Sequence, residues 1–369
     1  MCRRGHRKRT MPFLNKLGSG GHALSDEFNQ GRYWYISFFD NKSISNCQLP
    51  LFILSNLQKG TLTLVLDNFF EGFIDIIAGI YKKFVIEFNI PEENIILISE
   101  NAEIAEEAKR VSEALQLNPI KCKWIRRLEF SVSKQIQQES GASALQYKHY
   151  TKKFLNFNRR WRLHRPVFVS FLKARNLLHM GHVSLDSLPW DSVWDNILDS
   201  HKTNSRLFEQ LKSHETEIKN LPTLVLDFDD TTQIDPTLIS TGDTTYQLYL
   251  DTYFSLVSET VYYSGSGIML TEKTFKPIAL KHPFIIIGGA RSLAALRGLG
   301  YKTFSPIINE EYDTELDDIK RMQMILDETE RLCYLSDTEL SEFLTAAREI
   351  CEFNYAVLKN KRLFTTDLN

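Results

Sequence analysis

The 369-residue chain contains few cysteines, and none of them stands in a C-x-x-C pair. An odd, widely scattered set argues against a disulfide framework and against a structural zinc site. A reducing compartment is the simplest interpretation. The five cysteines are Cys2, Cys47, Cys122, Cys333 and Cys351.

The sequence also lacks a long uncharged apolar run. The best candidate, Leu64–Tyr81, is interrupted by Asp67, Glu71 and Asp75, so no transmembrane helix is predicted and the chain is expected to be soluble. The basic start, Met1–Thr10, is not followed by the apolar stretch of a signal peptide. It is interpreted as a frayed terminus or, alternatively, as an arm for nucleic acid or another acidic surface.

Neither sign of charge is in excess, since the sequence contains 44 Lys and Arg residues and 46 Asp and Glu residues. This balance argues against a globally basic nucleic-acid coat, while local basic patches remain open. The chain is 43% hydrophobic and 24% charged, which excludes a disordered tail, a collagen-like repeat and a small disulfide scaffold. With no internal repeat, the length favours two domains.

What the sequence does contain is an alternation of apolar strands and helical patterns. Thr61–Leu66 and Asn94–Ser99 are continuous apolar runs, followed by helical patterns over Phe73–Phe88 and Ala102–Leu115. This alternation predicts an α/β fold with parallel sheets covered on both faces. Further predicted strands are Lys121–Phe130, Val167–Phe171, Val183–Leu185, Thr223–Phe228, Tyr253–Val257 and Pro283–Gly288.

The polar stretch Ser140–Thr151 predicts a domain boundary. We expect two Rossmann-like domains, 1–150 and 151–335, facing across a cleft that is the default ligand site. Residues 336–369 are predicted to form a helix that crosses back to the N-terminal domain. Its N-cap is Ser336 or Asp337, with Glu339 in the first turn.

One segment whose residues could form a binding site is Phe254–Gly289. A predicted strand ends at Ser258-Glu259, and Thr271 caps a predicted helix that opens with Glu272-Lys273. Free N–H groups at a helix start, beside a lysine, suit a phosphate group. The alternative is that Thr271 and Glu272 only cap the helix and that Lys273 is solvated.

A second segment, Lys148–Arg165, holds seven Lys and Arg residues and no acidic residue. Arg159, Arg160 and Arg165 are candidates for a diphosphate clamp, because guanidinium groups bind phosphate oxygens in a bidentate manner. A solvated basic loop is the simpler alternative, and a nucleic-acid surface with interleaved aromatic residues is the third.

The two segments together carry a resemblance. Asn158-Arg159-Arg160, His164-Arg165 and Thr271–Ile278, with Gly300–Phe304 and Glu310–Asp313 downstream, are similar to a family of viral and phage glycosyltransferase-like proteins. The order Ser258-Glu259, Thr271–Lys273 and Pro283–Ile286 resembles the donor-binding motif of α-1,3-fucosyltransferases. The resemblance covers about residues 150–330 and is weak before them.

The resemblance implies a GT-B type glycosyltransferase that transfers a sugar from a nucleotide-diphosphate sugar to a hydroxyl of a glycan or of a hydroxymethylated DNA base. By position, Glu272 would contact the ribose, while Lys273, Arg159 and Arg165 would neutralise the diphosphate. Such neutralisation stabilises the leaving nucleotide, so an inverting reaction with no metal and no cofactor besides the co-substrate is expected. The location would be cytoplasmic, in the host cell if the protein is viral.

An inverting transfer needs a general base. Glu71 is the first candidate and Asp67 the second, because both follow the predicted strand TLTLVL, whose carboxyl end lies at the ligand edge of a parallel sheet. Glu100 and Asp40 are weaker candidates. Alternatively, Asp67 or Glu71 caps the following helix.

Two other activities are open. The run LVLDFDDTT resembles the first motif of haloacid-dehalogenase-type phosphatases, with Asp227 as nucleophile, Asp229 as acid/base and a bridging magnesium ion. A non-catalytic protein that binds nucleotide or nucleic acid through the same basic segment is the other alternative. His179 and His182 are interpreted as polar loop residues.

Overall fold

The computed structural model describes residues 33–38, 41–68, 76–138, 150–158, 162–186, 193–195, 198, 209, 211–226 and 244–362. Within them the chain is a mixed α/β protein with two four-stranded sheets. Every strand pair in both sheets is parallel. The predicted α/β class with parallel sheets is therefore confirmed.

The described chain divides into two compact units. The first draws on residues up to Ser131, on Gly265–Met269 and on Arg362, and the second on the chain from Val132 to Ser264 and on Leu270–Lys361. The domain ranges 1–150, 151–335 and 336–369 stay predictions.

The first unit is built on a sheet with strand order β1-β2-β3-β4. Its strands are β1 (Tyr33–Ser37), β2 (Thr63–Asn68), β3 (Ile95–Ser99) and β4 (Lys121–Trp124). The helices are α1 (Asn41–Ser45), α2 (Leu51–Gln58), α3 (Ile77–Ile80, continued by a π-helical turn Tyr81–Glu87) and α4 (Ile104–Leu115), with a 3₁₀ turn at Glu92–Asn94. Helix α5 (Arg127–Gln138) begins in the first unit, and its residues from Val132 onwards belong to the second.

Both faces of the central strands of this sheet are buried. Leu64 and Leu66 of β2 pack into the larger core under the helices, whereas Val65 between them packs on the opposite face with Ile98. Alternate residues of a strand point to opposite faces, so a continuous apolar run is what a doubly covered strand requires.

The second unit is built on a sheet with strand order β6-β5-β7-β8. Its strands are β5 (Phe154–Asn156), β6 (Gly181–Val183), β7 (Phe254–Ser258) and β8 (Phe284–Ile287). The helices are α6 (His164–Ala174), α7 (Glu215–Lys219), α8 (Thr244–Leu250), α9 (Glu272–Ala279), α10 (Ser292–Gly298), α11 (Asp318–Cys333) and α12 (Asp337–Lys359), with 3₁₀ turns at Leu178–Met180 and Glu311–Thr314.

The predicted strand Val167–Phe171 is wrong, because these residues lie in α6. Every residue from His164 to Leu172 is buried, so the apolar run shows neither a period of two nor an amphipathic stripe. Periodicity cannot separate a buried strand from a buried helix segment. Pro166 in the first turn was the available signal for a helix start.

Four predicted elements of the second unit are present in the structure. Strands β7 and β8 and helices α9 and α12 are confirmed near their predicted bounds. Ser336 and Glu339 form a complete capping box at the start of α12. The contacts described for α12 are with its own unit: it packs against α9, and Phe343, Ala347 and other residues join the core of the second unit.

The predicted strand Thr223–Phe228 is reduced, in its described part, to a single antiparallel bridge between Leu224 and Leu185. Across all described residues, none of the helices is both long and apolar enough to cross a membrane.

Two glycines give a matched test of the packing in the second unit. A Cβ on Gly181 would lie 2.2 Å from the buried ring of Phe154, whereas a Cβ on Gly298 in α10 would meet nothing within 4 Å. We expect Gly181→Ala to lower the free energy of unfolding by about 1–3 kcal/mol through overpacking. Gly298→Ala should raise it by about 0.4–1 kcal/mol. Urea unfolding followed by circular dichroism measures both, and equal effects of the two variants would contradict the described packing.

Candidate functional site

The carboxyl edge of the second sheet is held together by asparagine side chains. Asn156, at the end of β5, donates through Nδ2 to the carbonyl of Leu256 at 2.7 Å and to Oγ of Ser258 at 3.0 Å. Asn158 donates to Oδ1 of Asn156 at 2.5 Å. These bonds fix the ends of β5 and β7 side by side at the edge where α/β sheets bind ligands.

Asn158 also carries a buried acceptor without a partner. Its Oδ1 forms no hydrogen bond within the described part of the chain, although the residue is 1% exposed. Buried polar atoms are nearly always hydrogen-bonded. This amide oxygen is therefore a candidate acceptor for a hydroxyl of a ligand.

Glu259 follows β7 directly and organises the start of α9. One carboxylate oxygen accepts from the backbone N–H of Thr271 at 2.9 Å and from Oγ1 of Thr274 at 2.6 Å, and the other accepts from Oγ1 of Thr271 at 2.6 Å. Glu259 is 1% exposed. A buried carboxylate that accepts three strong bonds fixes the residues that donate them, so Glu259 acts here on the position of the helix start.

Glu272 and Lys273 open α9 at this fixed position. Nζ of Lys273 lies 2.8 Å from Oε1 of Glu272 and 3.2 Å from Oγ1 of Thr271. Burial pushes the pKa of Glu272 upwards, but the charges of Lys273 and Lys276, together with hydrogen bonds from Lys273 and the backbone, outweigh burial, so this pKa lies below its ordinary value. The side chain of Lys273 is 30% exposed, which leaves its ammonium group open to a ligand.

The start of α6 lies on the same strand end. Arg165 donates to the carbonyls of Ser258 at 3.1 Å and Glu259 at 3.3 Å, and burial lowers the pKa of its guanidinium to about 10. His164 lies 3.0 Å from the carbonyl of Glu259 and stacks on Tyr262. Burial and the nearby arginine charges lower the pKa of His164, so the neutral ring donates through Nε2 to that carbonyl.

The structure thus brings together six of the predicted donor-binding residues. They are Arg165, Ser258, Glu259, Thr271, Glu272 and Lys273. Arg159 and Arg160 lie outside the described residues, as do Glu71, Asp40, Asp227 and Asp229.

At the start of α10, a side chain of the protein already occupies the backbone N–H groups. The carboxylate of Asp313 accepts from the backbone N–H groups of Leu293 at 2.7 Å and Ala294 at 2.9 Å. These are the N–H groups that an anion at this terminus would need. Asp313 therefore occupies the α10 terminus, whereas the α9 terminus presents a lysine.

In the first unit, Asp67 and Glu100 lie at the carboxyl ends of β2 and β3. Asp67 forms a bidentate ion pair with Arg127, two bonds of 3.0 Å, and also accepts from the hydroxyl of Tyr35. Oε1 of Glu100 accepts from the backbone N–H of Arg127 at 3.0 Å. Both carboxylate oxygens of Asp67 are engaged in this arrangement.

Sequence reasoning missed Arg127 and Asn156, and it named Asn158 only as part of the Asn158-Arg159-Arg160 motif. Arg127 stands in a predicted strand, Lys121–Phe130, although β4 ends at Trp124 and Arg127 begins α5. Asn156 and Asn158 flank Phe157, and Asn156 is the last residue of β5. The available signal for the asparagines was a pair of polar amides at the end of the short apolar run Phe154-Leu155, whereas Arg127 carries no such local signal.

Among the described residues, no group of three or more His, Cys, Asp or Glu is arranged to hold a metal ion. His182 lies in β6 and pairs with Asp251 at 2.6 Å.

No protein-family model matches the sequence, and a search of curated proteins finds no match either.

Burial of Glu100 generates a pH prediction. Burial raises the pKa of Glu100 from 4.5 to about 8, with the charge of Arg127 opposing it. Between these values the folded state holds a proton that the unfolded state has lost, so the free energy of unfolding falls as pH rises. Relative to Glu100→Gln, the wild type should lose up to about 1 kcal/mol per pH unit across this window.

Urea unfolding at pH 5, 6, 7 and 8 measures the difference. Glu113→Gln, on the exposed surface of α4, is the control. Parallel pH curves for the wild type and Glu100→Gln would contradict the account.

Proposed function

We propose that this chain is a glycosyltransferase that binds a nucleotide-diphosphate sugar at the start of α9 and transfers the sugar to a hydroxyl acceptor. The observation that carries the proposal is the fixed helix start. Glu259 holds Thr271 and Thr274 through three hydrogen bonds of 2.6–2.9 Å. Glu272 and Lys273, which follow Thr271, present a carboxylate and an ammonium group at the ligand edge of the sheet. Such a pair suits a ribose and a diphosphate.

In the proposed complex, Lys273 turns its ammonium group from Glu272 to the diphosphate. The carboxylate of Glu272 then accepts hydrogen bonds from the ribose hydroxyls. The side-chain exposure of Lys273 permits this exchange, and Lys276 remains as a second positive charge that favours the ionised form of Glu272. The resemblance assigns these two roles by position.

The contacts of Arg165 suggest an indirect role for this residue. Its guanidinium is 3% exposed and bonds the backbone at the end of β7. We infer that Arg165 holds the strand end beneath the donor and contributes positive potential, while direct phosphate contacts come from Lys273, Arg159 and Arg160.

The proposed reaction is inverting. The acceptor oxygen forms a bond to the anomeric carbon, the bond from that carbon to the diphosphate breaks, and the nucleoside diphosphate leaves with the electron pair. Positive charge at the leaving group stabilises this departure, and no metal is part of the proposal. The resemblance further suggests a GT-B arrangement and a cytoplasmic protein.

A carboxylate of the first unit takes the acceptor proton in this proposal. Asp67 is engaged by Arg127 and Tyr35, and leaving Arg127 buried without its partner would be costly. Glu71 is therefore the preferred base of the two. The acceptor class, a glycan or a hydroxymethylated DNA base, follows from the resemblance alone.

Substitution of Lys273 tests the donor site. We expect Lys273→Ala to weaken binding of a nucleoside diphosphate by about 1–3 kcal/mol, or roughly 5- to 150-fold in Kd, the scale of a charge-assisted hydrogen bond. The ligand comes from a thermal-shift screen of UDP-, GDP-, ADP- and CMP-linked compounds, and isothermal titration calorimetry gives Kd.

Lys219→Ala is the matched control, because Lys219 also pairs with a glutamate of its own helix in the second unit and is 26% exposed. Its Kd should equal that of the wild type. An unchanged Kd in Lys273→Ala, or an equal loss in both variants, would contradict the proposed site.

A further inference from the structure

The orientation of the Asn156 amide is determined by its partners. Its Nδ2 donates to the carbonyl of Leu256 at 2.7 Å and to Oγ of Ser258 at 3.0 Å. A backbone carbonyl can only accept, so the atom that faces it must be the amide nitrogen. Both protons of that nitrogen are used in these two bonds, and Oδ1 of Asn156 is left to act as an acceptor.

The orientation of Asn156 in turn determines that of Asn158. The atom that lies 2.5 Å from Oδ1 of Asn156 must donate, so it is Nδ2 of Asn158. The oxygen of Asn158 is then on the other branch of the planar amide, directed away from Asn156. It has no hydrogen-bond partner among the described residues. Asn158 cannot exchange its oxygen and nitrogen without losing the bond to Asn156.

The backbone around Asn158 is fixed as well. The N–H of Asn158 donates to Oγ of Ser184 at 3.0 Å, and the N–H of Ser184 donates to the carbonyl of Asn156 at 3.0 Å. Asn158 is 1% exposed. Its oxygen is therefore held in place before any ligand arrives, and such preorganisation lowers the cost of binding.

The chemistry of this oxygen selects the group that can bind to it. An amide oxygen has lone pairs and no proton, so it accepts from a hydroxyl or an N–H group and repels a phosphate oxygen. The hydroxyl proton of Ser184 goes to no acceptor in the described part of the chain, since the bond to Asn158 uses only a lone pair. A hydroxyl group can donate to the amide oxygen and accept from the serine, whereas an ammonium group can only donate. The two side chains together therefore suit a hydroxyl group.

This acceptor and the start of α9 belong to the same unit and to the same edge of its sheet. Asn156 connects the acceptor to Ser258 at the end of β7, and the next residue, Glu259, fixes the start of α9. In the proposed complex, Glu272 and Lys273 bind the ribose and the diphosphate. The sugar is a further part of such a donor that is rich in hydroxyl groups.

We propose that the amide oxygen of Asn158, together with the hydroxyl of Ser184, binds a hydroxyl group of the sugar that is transferred. This inference rests on the proposed function and adds a sugar subsite to its donor site. Asn158 contacts the substrate in this subsite and selects donors that carry a hydroxyl group at the matching position of the sugar ring.

The experiment uses the full chain as wild type, Asn158→Ala and Asn354→Ala. Asn354 is the matched control, because it is also 1% exposed in the second unit, but both ends of its amide bond the backbone of Lys302 at 2.8 Å. Calorimetry gives Kd for UDP-glucose, GDP-mannose, GDP-fucose and ADP-glucose, and for UDP, GDP and ADP. Thermal unfolding followed by circular dichroism checks that each variant is folded.

We expect Asn158→Ala to raise Kd at least about fivefold for the nucleotide sugar that the wild type binds, since one hydrogen bond to the sugar is lost. The Kd of the corresponding nucleoside diphosphate should stay within about twofold of the wild-type value, a difference of less than about 0.5 kcal/mol. Asn354→Ala should leave the ratio of these two Kd values unchanged.

Monodeoxy analogues of the same nucleotide sugar keep the test independent of the folding of the variant. In the wild type, removal of the hydroxyl group that Asn158 binds should raise Kd at least about tenfold, because a site built to bond a hydroxyl group rejects the analogue that lacks it. In Asn158→Ala, that analogue should bind as well as its parent.

The inference is overturned if Asn158→Ala changes both Kd values equally or changes neither. An equal change is the result expected if the oxygen only binds a buried water. The inference is also overturned if no monodeoxy analogue binds the wild type more weakly than its parent. If the wild type binds neither a nucleotide sugar nor a nucleoside diphosphate, the proposed function itself fails, and the sugar subsite fails with it.

Discussion

The carboxylate of Glu259 is the interaction on which the site in the second unit depends. It stands just past the end of β7 and receives three donors from Thr271 and Thr274. His164 and Arg165 bond the backbone around the same residue. The end of one strand is thereby joined to the starts of two helices, α6 and α9. A site built on such fixed elements can hold Glu272 and Lys273 with little conformational freedom, which is what tight binding of a charged ligand requires.

In the first unit, an ion pair joins the ends of two strands to the start of a helix. Arg127, at the start of α5, connects the ends of β2 and β3 by bonding the side chain of Asp67 and, through its backbone, that of Glu100. Placing several ionisable groups in a dry environment shifts their pKa values, as the raised pKa of Glu100 shows. Perturbed carboxyl groups are common at functional sites, but structural networks produce them as well. The engagement of Asp67 favours the structural interpretation for this residue.

Much of the fold could be predicted because its signals are local. The apolar runs of β2, β3, β7 and β8 and the capping box of α12 are readable from neighbouring residues. The α6 segment failed for a physical reason, since burial on all sides removes the periodicity that distinguishes a helix from a strand. At the site, the sequence indicated Thr271, Glu272 and Lys273 as a helix start beside Glu259. It did not show that Glu259 would receive both threonines or that Arg165 would bond backbone carbonyls, because these are long-range contacts that no local pattern encodes.

The central claim is that a nucleoside diphosphate binds at the start of α9, and photo-crosslinking tests it most directly. The protein is irradiated with an azido-nucleoside diphosphate chosen by the thermal-shift screen, and the labelled peptides are identified by mass spectrometry. The account predicts labels in the peptide that contains Thr271–Lys276, removed by an excess of the unlabelled nucleotide. Competable labelling confined to other peptides, such as the one containing the Asp313-capped start of α10, would contradict it.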